Sequence, residues 1–233
     1  MDALRTVRVL IVGVGGVGSW CAEALVRTGL VHLTIMDGDT VQPSNLNRQL
    51  PATRQTMGRE KVEALRERLL TIHPEAEIVA IPAFYHGEED LSSYDYVIDA
   101  IDNVADKTAL LLAASHHKGI KVFSSMGAAL RFDPTQVRVA ELMAVKGDAL
   151  CKAVKARMKR LNRYPNKKIR CVYSLEQAQP CASRGSLMQV TAVFGCTLAS
   201  LVVDDVHRRS SDGHSDPMTG TAQCVSNTAC RPD

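Results

Sequence analysis

The stretch from Val9 to Leu25, VLIVGVGGVGSWCAEAL, constrains the fold of this chain more than any other. An apolar run typical of a buried strand leads through a glycine cluster into a helical pattern. Closely spaced glycines allow a tight turn whose backbone N–H groups approach phosphate oxygens, and the following helix start adds positive potential. The stretch predicts a nucleotide site that by itself fits NAD as well as ATP. Its glycines are Gly13, Gly15, Gly16 and Gly18.

Strand and helix signals alternate along the first half of the chain. Apolar runs predict strands at 7–12, 31–36, 78–84, 96–101 and 121–125, and helical periodicity predicts helices at 19–28, 59–72, 104–118 and 187–206. Because these strands are apolar on both faces, we expect an α/β fold with a Rossmann-like, doubly wound, mostly parallel sheet. Alternation at 137–142 predicts an added antiparallel strand.

Length and composition indicate one domain and a tail. We expect a single adenylation domain over 1–206 and a disordered tail over 207–233, where large apolar residues are few. Seven cysteines without a C-x-x-C pair argue against a zinc ribbon or a disulfide framework and predict a reducing, cytoplasmic setting. The longest uncharged run, 187–203, includes polar residues and predicts a buried helix, so no membrane partner is expected.

Charged residues after the glycines favour ATP over NAD. Asp37 ends the second predicted strand, where a carboxylate can accept hydrogen bonds from ribose hydroxyls. The stretch MDGDTVQPSNLNRQL then supplies Asn45 and Arg48, and GREKVEAL supplies Lys61. Two cations converging on the phosphates suit the charge of a triphosphate. Each of these cations taken alone could instead be a surface residue.

The stretch VIDAIDNVADK places Asp99 and Asp102 at the end of another strand. A carboxylate at the carboxyl edge of a sheet, facing bound phosphates, is a natural Mg²⁺ ligand. We predict this role for Asp102. The alternative is that Asp102 caps the helix that begins near Val104.

The order of these motifs resembles the ThiF/MoeB/HesA superfamily, relatives of ubiquitin-activating enzymes that adenylate a carboxylate. The motifs are G-x-G-G-x-G, D-x-D-x-V-x-x-S-N-L-N-R-Q, G-x-x-K and D-x-x-D-N, and the resemblance spans residues 4–206. It implies ATP and Mg²⁺ as cofactors, with Asp37 on the ribose, Asp39 supporting the site and Asp102 on the metal. It also implies that the four glycines and the remaining motif residues bind the nucleotide, and that Arg48, Lys61 and Asp102 are catalytic. Those remaining residues are Asn45, Arg48, Gln49 and Lys61.

Further stretches, DPTQVRVAEL, CVYSLE and CASRGSLMQVTAVFG, resemble one branch of this superfamily. Members of that branch use ATP to activate the carboxylate of N6-threonylcarbamoyladenosine beside the tRNA anticodon. Attack from within the same group then closes a ring and releases AMP, a net dehydration. The resemblance implies an ATP-dependent cyclising ligase, a tRNA partner and a homodimer. The basic segment 146–170, with ten cations and the single acid Asp148, fits an RNA backbone, or alternatively a solvated helix face.

Three alternatives stay open. The chain could activate a small ubiquitin-like sulfur-carrier protein, with sulfur-transfer partners, although the absence of C-x-x-C pairs and the basic segment favour RNA. It could also bind a nucleotide without catalysis, because superfamily members usually carry an N-terminal arm with an arginine that reaches ATP in the partner subunit. Only a few residues precede the first strand here, and Arg5 and Arg8 are poorly placed for that role. Finally, Cys181 is either a passive thiol or the acceptor of the activated carboxylate.

Overall fold

The computed structural model describes residues 2–178 and 185–212. Seven strands are β1 (Arg8–Val12), β2 (His32–Met36), β3 (Glu77–Ile81), β4 (Tyr96–Asp99), β5 (Lys121–Ser125), β6 (Val137–Glu141) and β7 (Arg170–Ser174). Five α-helices are α1 (Gly18–Arg27), α2 (Lys61–Ile72), α3 (Val104–His116), α4 (Ala149–Leu161) and α5 (Met188–Asp212). The predicted elements are found with shifts of a few residues at their ends, whereas β7 and α4 were not predicted.

All seven strands form one sheet in the order β3-β2-β1-β4-β5-β7-β6. Neighbouring strands are parallel except for β6 and β7, which pair antiparallel. The expected doubly wound, mostly parallel α/β sheet with an added antiparallel strand is therefore confirmed. The unpredicted β7 lies between β5 and β6 and joins the antiparallel strand to the parallel part.

The chain reverses its direction of travel across the sheet between β1 and β4. From β1 it proceeds outward to β2 and β3, and it then returns to the other side of β1 to form β4 and β5. In open α/β sheets the crevice outside the carboxyl ends of the strands at such a switch point is the ordinary place for a ligand. Here the glycine turn after β1 and the loop after β4 form that crevice.

Two apolar cores cover the two faces of the sheet. One core contains buried residues of α1, α2 and α5, and the other contains buried residues of α3 and α4. Fully buried side chains recur every fourth residue along α5, as expected for a packing helix: Val190, Phe194, Leu198 and Val202. The helix continues to Asp212 instead of ending at Val206, and residues 213–233 of the predicted tail lie outside the described residues.

Helix α5 is long and apolar enough to cross a membrane by length and composition alone. Half of its most apolar window is buried inside the protein, and it packs along α1. At Gly195 the two helices touch closely, because a methyl group there would stand 2.5 Å from the carbonyl oxygen of Val17 and 2.8 Å from the nitrogen of Cys21. Packing within the fold therefore accounts for part of the apolar surface of α5.

Candidate nucleotide-binding site

The glycine turn is shaped by contacts that exclude side chains at two of its positions. Gly13 has a φ of +88°, and its N–H donates to the carbonyl oxygen of Met36 at 2.8 Å. A methyl group on Gly18 would stand 1.8 Å from the carbonyl oxygen of Gly13. The turn can therefore adopt this conformation only with glycine at both positions. Without side chains there, a phosphate can approach the backbone at the end of β1.

Helix α1 begins directly after this turn without a side-chain cap. Its N-cap residue is Val17, and its first turn contains no acidic residue. The first N–H groups of a helix lack partners within the helix and carry partial positive charge. The start of α1 is therefore suited to an anionic group held by the glycine turn.

Asp37 joins the end of β2 to the glycine turn. One carboxylate oxygen accepts the Val14 N–H at 2.8 Å, and the other accepts the Asp39 N–H at 2.9 Å. Burial raises the pKa of the Asp37 carboxyl above its ordinary value, against the opposing effect of the nearby Lys61 ammonium and of the two N–H groups. Each carboxylate oxygen can accept a further hydrogen bond, as a ribose hydroxyl would require.

Lys61 is buried, although lysines at helix starts are usually exposed. Its side chain is 6% exposed, and its Nζ lies 2.7 Å from Oδ2 of Asp39. A second bond joins the same two residues, from the Lys61 N–H to the carbonyl oxygen of Asp39 at 3.0 Å. The surface interpretation of Lys61 is therefore wrong, because the structure holds this cation in place beside Asp37.

A short turn carries Arg48 and Gln49 across the glycine turn. The carbonyl oxygen of Asn45 accepts the N–H groups of both residues, at 3.1 and 3.0 Å, and the Asn45 amide oxygen accepts the N–H of Gln42 at 2.9 Å. Arg48 lies against Gly16, where an added methyl group would stand 3.2 Å from its Cγ. Asn45 thus shapes the turn that positions Arg48 and Gln49.

Gln49 is buried against the glycine turn. A methyl group on Gly15 would stand 3.5 Å from the Gln49 Nε2. Its Oε1 is buried, and within 2–178 and 185–212 it has no hydrogen-bond partner. A buried amide oxygen without a partner is costly, and because an amide oxygen accepts, the group that satisfies it must be a hydrogen-bond donor.

Asp102 lies in the loop that follows β4. This loop touches the turn directly, because a methyl group on Gly13 would stand 2.7 Å from the Ala100 carbonyl oxygen. The Asp102 side chain is exposed, and no cation of the described part of the chain is paired with it. Asn103 caps α3 instead, accepting the N–H groups of Ala105 and Asp106, so the helix-cap interpretation of Asp102 is wrong.

Asp99 has a different environment from Asp102. It is completely buried and pairs with Lys107 of α3, whose Nζ lies 2.7 Å from the carboxylate. Ser124 of β5 donates to the same carboxylate at 2.6 Å, and Lys107 also donates to the Ile101 carbonyl oxygen at 2.9 Å. This buried pair fixes the loop that carries Asp102.

Sequence reasoning missed Lys107 and Trp20 as supports of the site. Trp20 of α1 donates its indole N–H to the Arg48 carbonyl oxygen at 3.0 Å. A lysine four positions after the Asn103 cap, followed by an apolar run, was the available signal for Lys107. Within the described residues no three metal-ligating side chains come together, and Cys181 lies outside those residues.

Comparison with known proteins agrees with this geometry. The sequence model of the ThiF family matches residues 1–223. A tRNA threonylcarbamoyladenosine dehydratase of Haemophilus influenzae is 34% identical over 232 residues, which cover 89% of this chain and 88% of that protein.

Two crystal structures of the E. coli tRNA N6-threonylcarbamoyladenosine dehydratase TcdA share the fold over nearly the whole chain. The complex with ATP has a TM-score of 0.84 at 32% identity, and the complex with AMP has a TM-score of 0.85 at 33% identity. Each match covers 91% of both chains. From its motifs, its fold and these matches, the chain belongs to the ThiF family.

Proposed function

We propose that this protein is an ATP-dependent dehydratase that adenylates the carboxylate of N6-threonylcarbamoyladenosine in tRNA and closes it to a cyclic product, releasing AMP and pyrophosphate. The observation that carries the proposal is the cluster of Asp37, Lys61, Arg48 and Gln49 around a bare glycine turn. The similarity to dehydratases bound to ATP and to AMP supports the choice of nucleotide.

The residues of the turn fit ATP. The uncapped start of α1 suits phosphate oxygens, and the amide nitrogen of Gln49, a hydrogen-bond donor, lies beside Gly15 of the same turn. Asp37 suits the ribose hydroxyls, since both of its oxygens can accept one more bond. We assign phosphate contacts to Arg48 and Lys61, because a cation adds most stabilisation where charge accumulates.

The reaction needs charge stabilisation more than a protein nucleophile. A substrate carboxylate oxygen attacks the α-phosphorus and pyrophosphate leaves; an atom of the same threonylcarbamoyl group then attacks the activated carbonyl carbon, and AMP leaves. Arg48 and Lys61 would stabilise the charge that grows on the α-phosphate and on pyrophosphate. The second attack is intramolecular, so holding the group in place contributes several kcal/mol by proximity.

We further propose Asp102 as the ligand of a Mg²⁺ ion. Mg²⁺ is commonly held by one or two carboxylates together with substrate phosphates, so a single exposed carboxylate at this edge is sufficient. Asp39 and Asp99 are already paired with lysines, which leaves Asp102 for this role. The ion, when bound, would supply electrophilic assistance to the phosphates.

A homodimer and a cytoplasmic location also belong to this proposal. An exposed cleft beside the site contains Trp20, Leu46, Arg48 and Met188, and apolar side chains on its rim are 43–44% exposed. A second copy of the chain seated there would cover these side chains next to Arg48.

The decisive experiment supplies purified protein with ATP, Mg²⁺ and tRNA carrying threonylcarbamoyladenosine, and analyses the nucleosides by mass spectrometry. We expect a product lighter by one water and AMP release that requires the modified tRNA. Arg48→Ala should lose at least ~2 kcal/mol of transition-state stabilisation, measured as kcat/KM. AMP release with a sulfur-carrier protein but not with tRNA would overturn the proposal, as would ATP binding without AMP release from either.

A further inference from the structure

The cations of the basic segment 146–170 differ from most others in the chain because none of them is paired. Within 2–178 and 185–212 no carboxylate lies within ion-pair distance of any of these ten side chains. The segment's own acid, Asp148, pairs outside the segment with Arg131. Cations elsewhere are mostly paired: Arg27, Arg59, Lys61, Arg66, Arg68, Lys107, Lys121, Arg131, Arg208 and Arg209.

Helix α4 arranges part of this charge in a row. Its buried face consists of Cys151, Val154 and Met158, and Lys152, Lys155 and Lys159 follow one flank at spacings of three and four residues. Residues at these spacings are neighbours on a helix surface. Lys152 and Lys159, both exposed, are separated along the helix axis by about 10 Å.

The middle lysine of the row is held in place by the backbone. The Lys155 Nζ donates to the carbonyl oxygens of Met143 at 3.1 Å and Val145 at 2.7 Å. Its charge therefore stays on this flank of α4 even though its side chain is half-buried. We call Lys152, Lys155 and Lys159 the α4 lysine row.

The row leads away from the nucleotide site. Asp148 caps the start of α4 and accepts the N–H of Gly127 at 3.1 Å, and Gly127 follows the carboxyl end of β5. At the other end, Lys167 donates to the carbonyl oxygens of His117 and Ile120, just before β5 begins. Helix α4 thus runs about 20 Å along the strand direction, from the carboxyl ends of the strands, where the site lies, towards their amino ends.

Between Lys152 and Arg160 the outward positions of α4 lack the apolar centre of a protein interface, and the one large apolar side chain exposed on this helix is Leu161, its last residue. From Lys152 to Arg160 they are occupied by alanines and cations. Protein interfaces typically depend on buried aromatic or aliphatic side chains at their centre. A row of unpaired cations is instead suited to a polyanion with regularly spaced charges.

We propose that the α4 lysine row binds the phosphate backbone of the tRNA strand that leads away from the reacting nucleotide. This inference rests on the proposed function, since it places the RNA relative to the nucleotide site. The row contacts phosphates alone, so it contributes affinity and orientation but reads no sequence. Beyond the end of the helix, an open cleft of about 290 Å³ has Lys167 and Lys168 on its wall, together with Glu141 and Tyr164.

The test compares two double variants that each remove two positive charges. Lys152→Gln/Lys159→Gln removes the ends of the row, and the control Arg66→Gln/Arg208→Gln removes two exposed cations that are paired within their own helices. The probe is an unmodified tRNA transcript titrated at several salt concentrations. We expect the row variant to bind several-fold more weakly, with a salt slope shallower by about 2, and the control to bind like the wild type.

The row variant should also keep its kcat when modified tRNA is saturating, because the row does not touch the reacting group. Affinity and salt slope equal to those of the control would overturn the proposal. Failure of the proposed function is distinguishable: the wild type would then form no cyclic nucleoside, while the binding comparison could still be made.

Discussion

The glycines of the glycine turn differ in how much space they leave for a side chain. Gly18 faces the carbonyl oxygen of Gly13, whereas Gly15 leaves ordinary contact distance for a methyl group. We expect Gly18→Ala to lower the free energy of unfolding by roughly 1–3 kcal/mol, by overpacking, and to weaken ATP binding. Gly15→Ala should unfold at the wild-type urea concentration. Equal urea midpoints and ATP affinities for the two variants would contradict this account.

Asp102 is the residue whose role can be separated most cleanly from folding. Because its side chain is exposed and outside the ion-pair network of the described residues, Asp102→Ala should retain wild-type stability and lose AMP release. Asp106→Ala, which removes a carboxylate from the first turn of α3, serves as the control and should retain AMP release. Unchanged turnover of Asp102→Ala over a Mg²⁺ titration would rule out the metal assignment.

At the scale of elements, the buried pair between Asp99 of β4 and Lys107 of α3 attaches a helix to the sheet. Lys107→Met leaves a buried carboxylate unpaired, which typically costs about 3–5 kcal/mol. Adding Asp99→Asn removes that charge, so we expect the double variant to regain much of the lost stability in urea unfolding. A double variant as unstable as Lys107→Met would show that the pair is not coupled.

The elements also show what could be predicted from sequence and what could not. Strands β1, β2, β4 and β5 were found because their apolar runs are bounded by turn residues or by helices. The strand at Arg170–Ser174 was missed because it follows a highly charged segment, and its place between β5 and β6 depends on pairing between distant parts of the chain.

The same limit applies to the candidate site. Motif order predicted Asp37, Arg48 and Lys61 as site residues, but the burial of Lys61 and the use of Asn45 within a turn depend on packing that no local pattern contains. The difference between Asp99 and Asp102 is set by where α3 docks, since only Asp99 comes within reach of Lys107.

At the scale of the whole molecule, ligand binding to the folded state should raise the melting temperature. ATP with Mg²⁺ at 100 times its Kd adds about 2.7 kcal/mol, or about 5–10 °C for a domain of this size. NAD at the same concentration should produce little change, because Arg48 and Lys61 suit a triphosphate. A larger increase in melting temperature with NAD than with ATP, measured by differential scanning fluorimetry, would indicate that the glycine turn binds a dinucleotide instead.

The contact at Gly195 has a consequence for the order in which the protein folds during its synthesis. The first turn of α1 leaves the ribosome before the helix that packs against it, because α5 is synthesised well over a hundred residues later. A nascent chain still lacking α5 exposes the apolar face of α1 that packs against α5 in the folded protein. The nucleotide pocket is therefore completed late in synthesis, and we expect a stalled chain that ends before Met188 not to retain ATP.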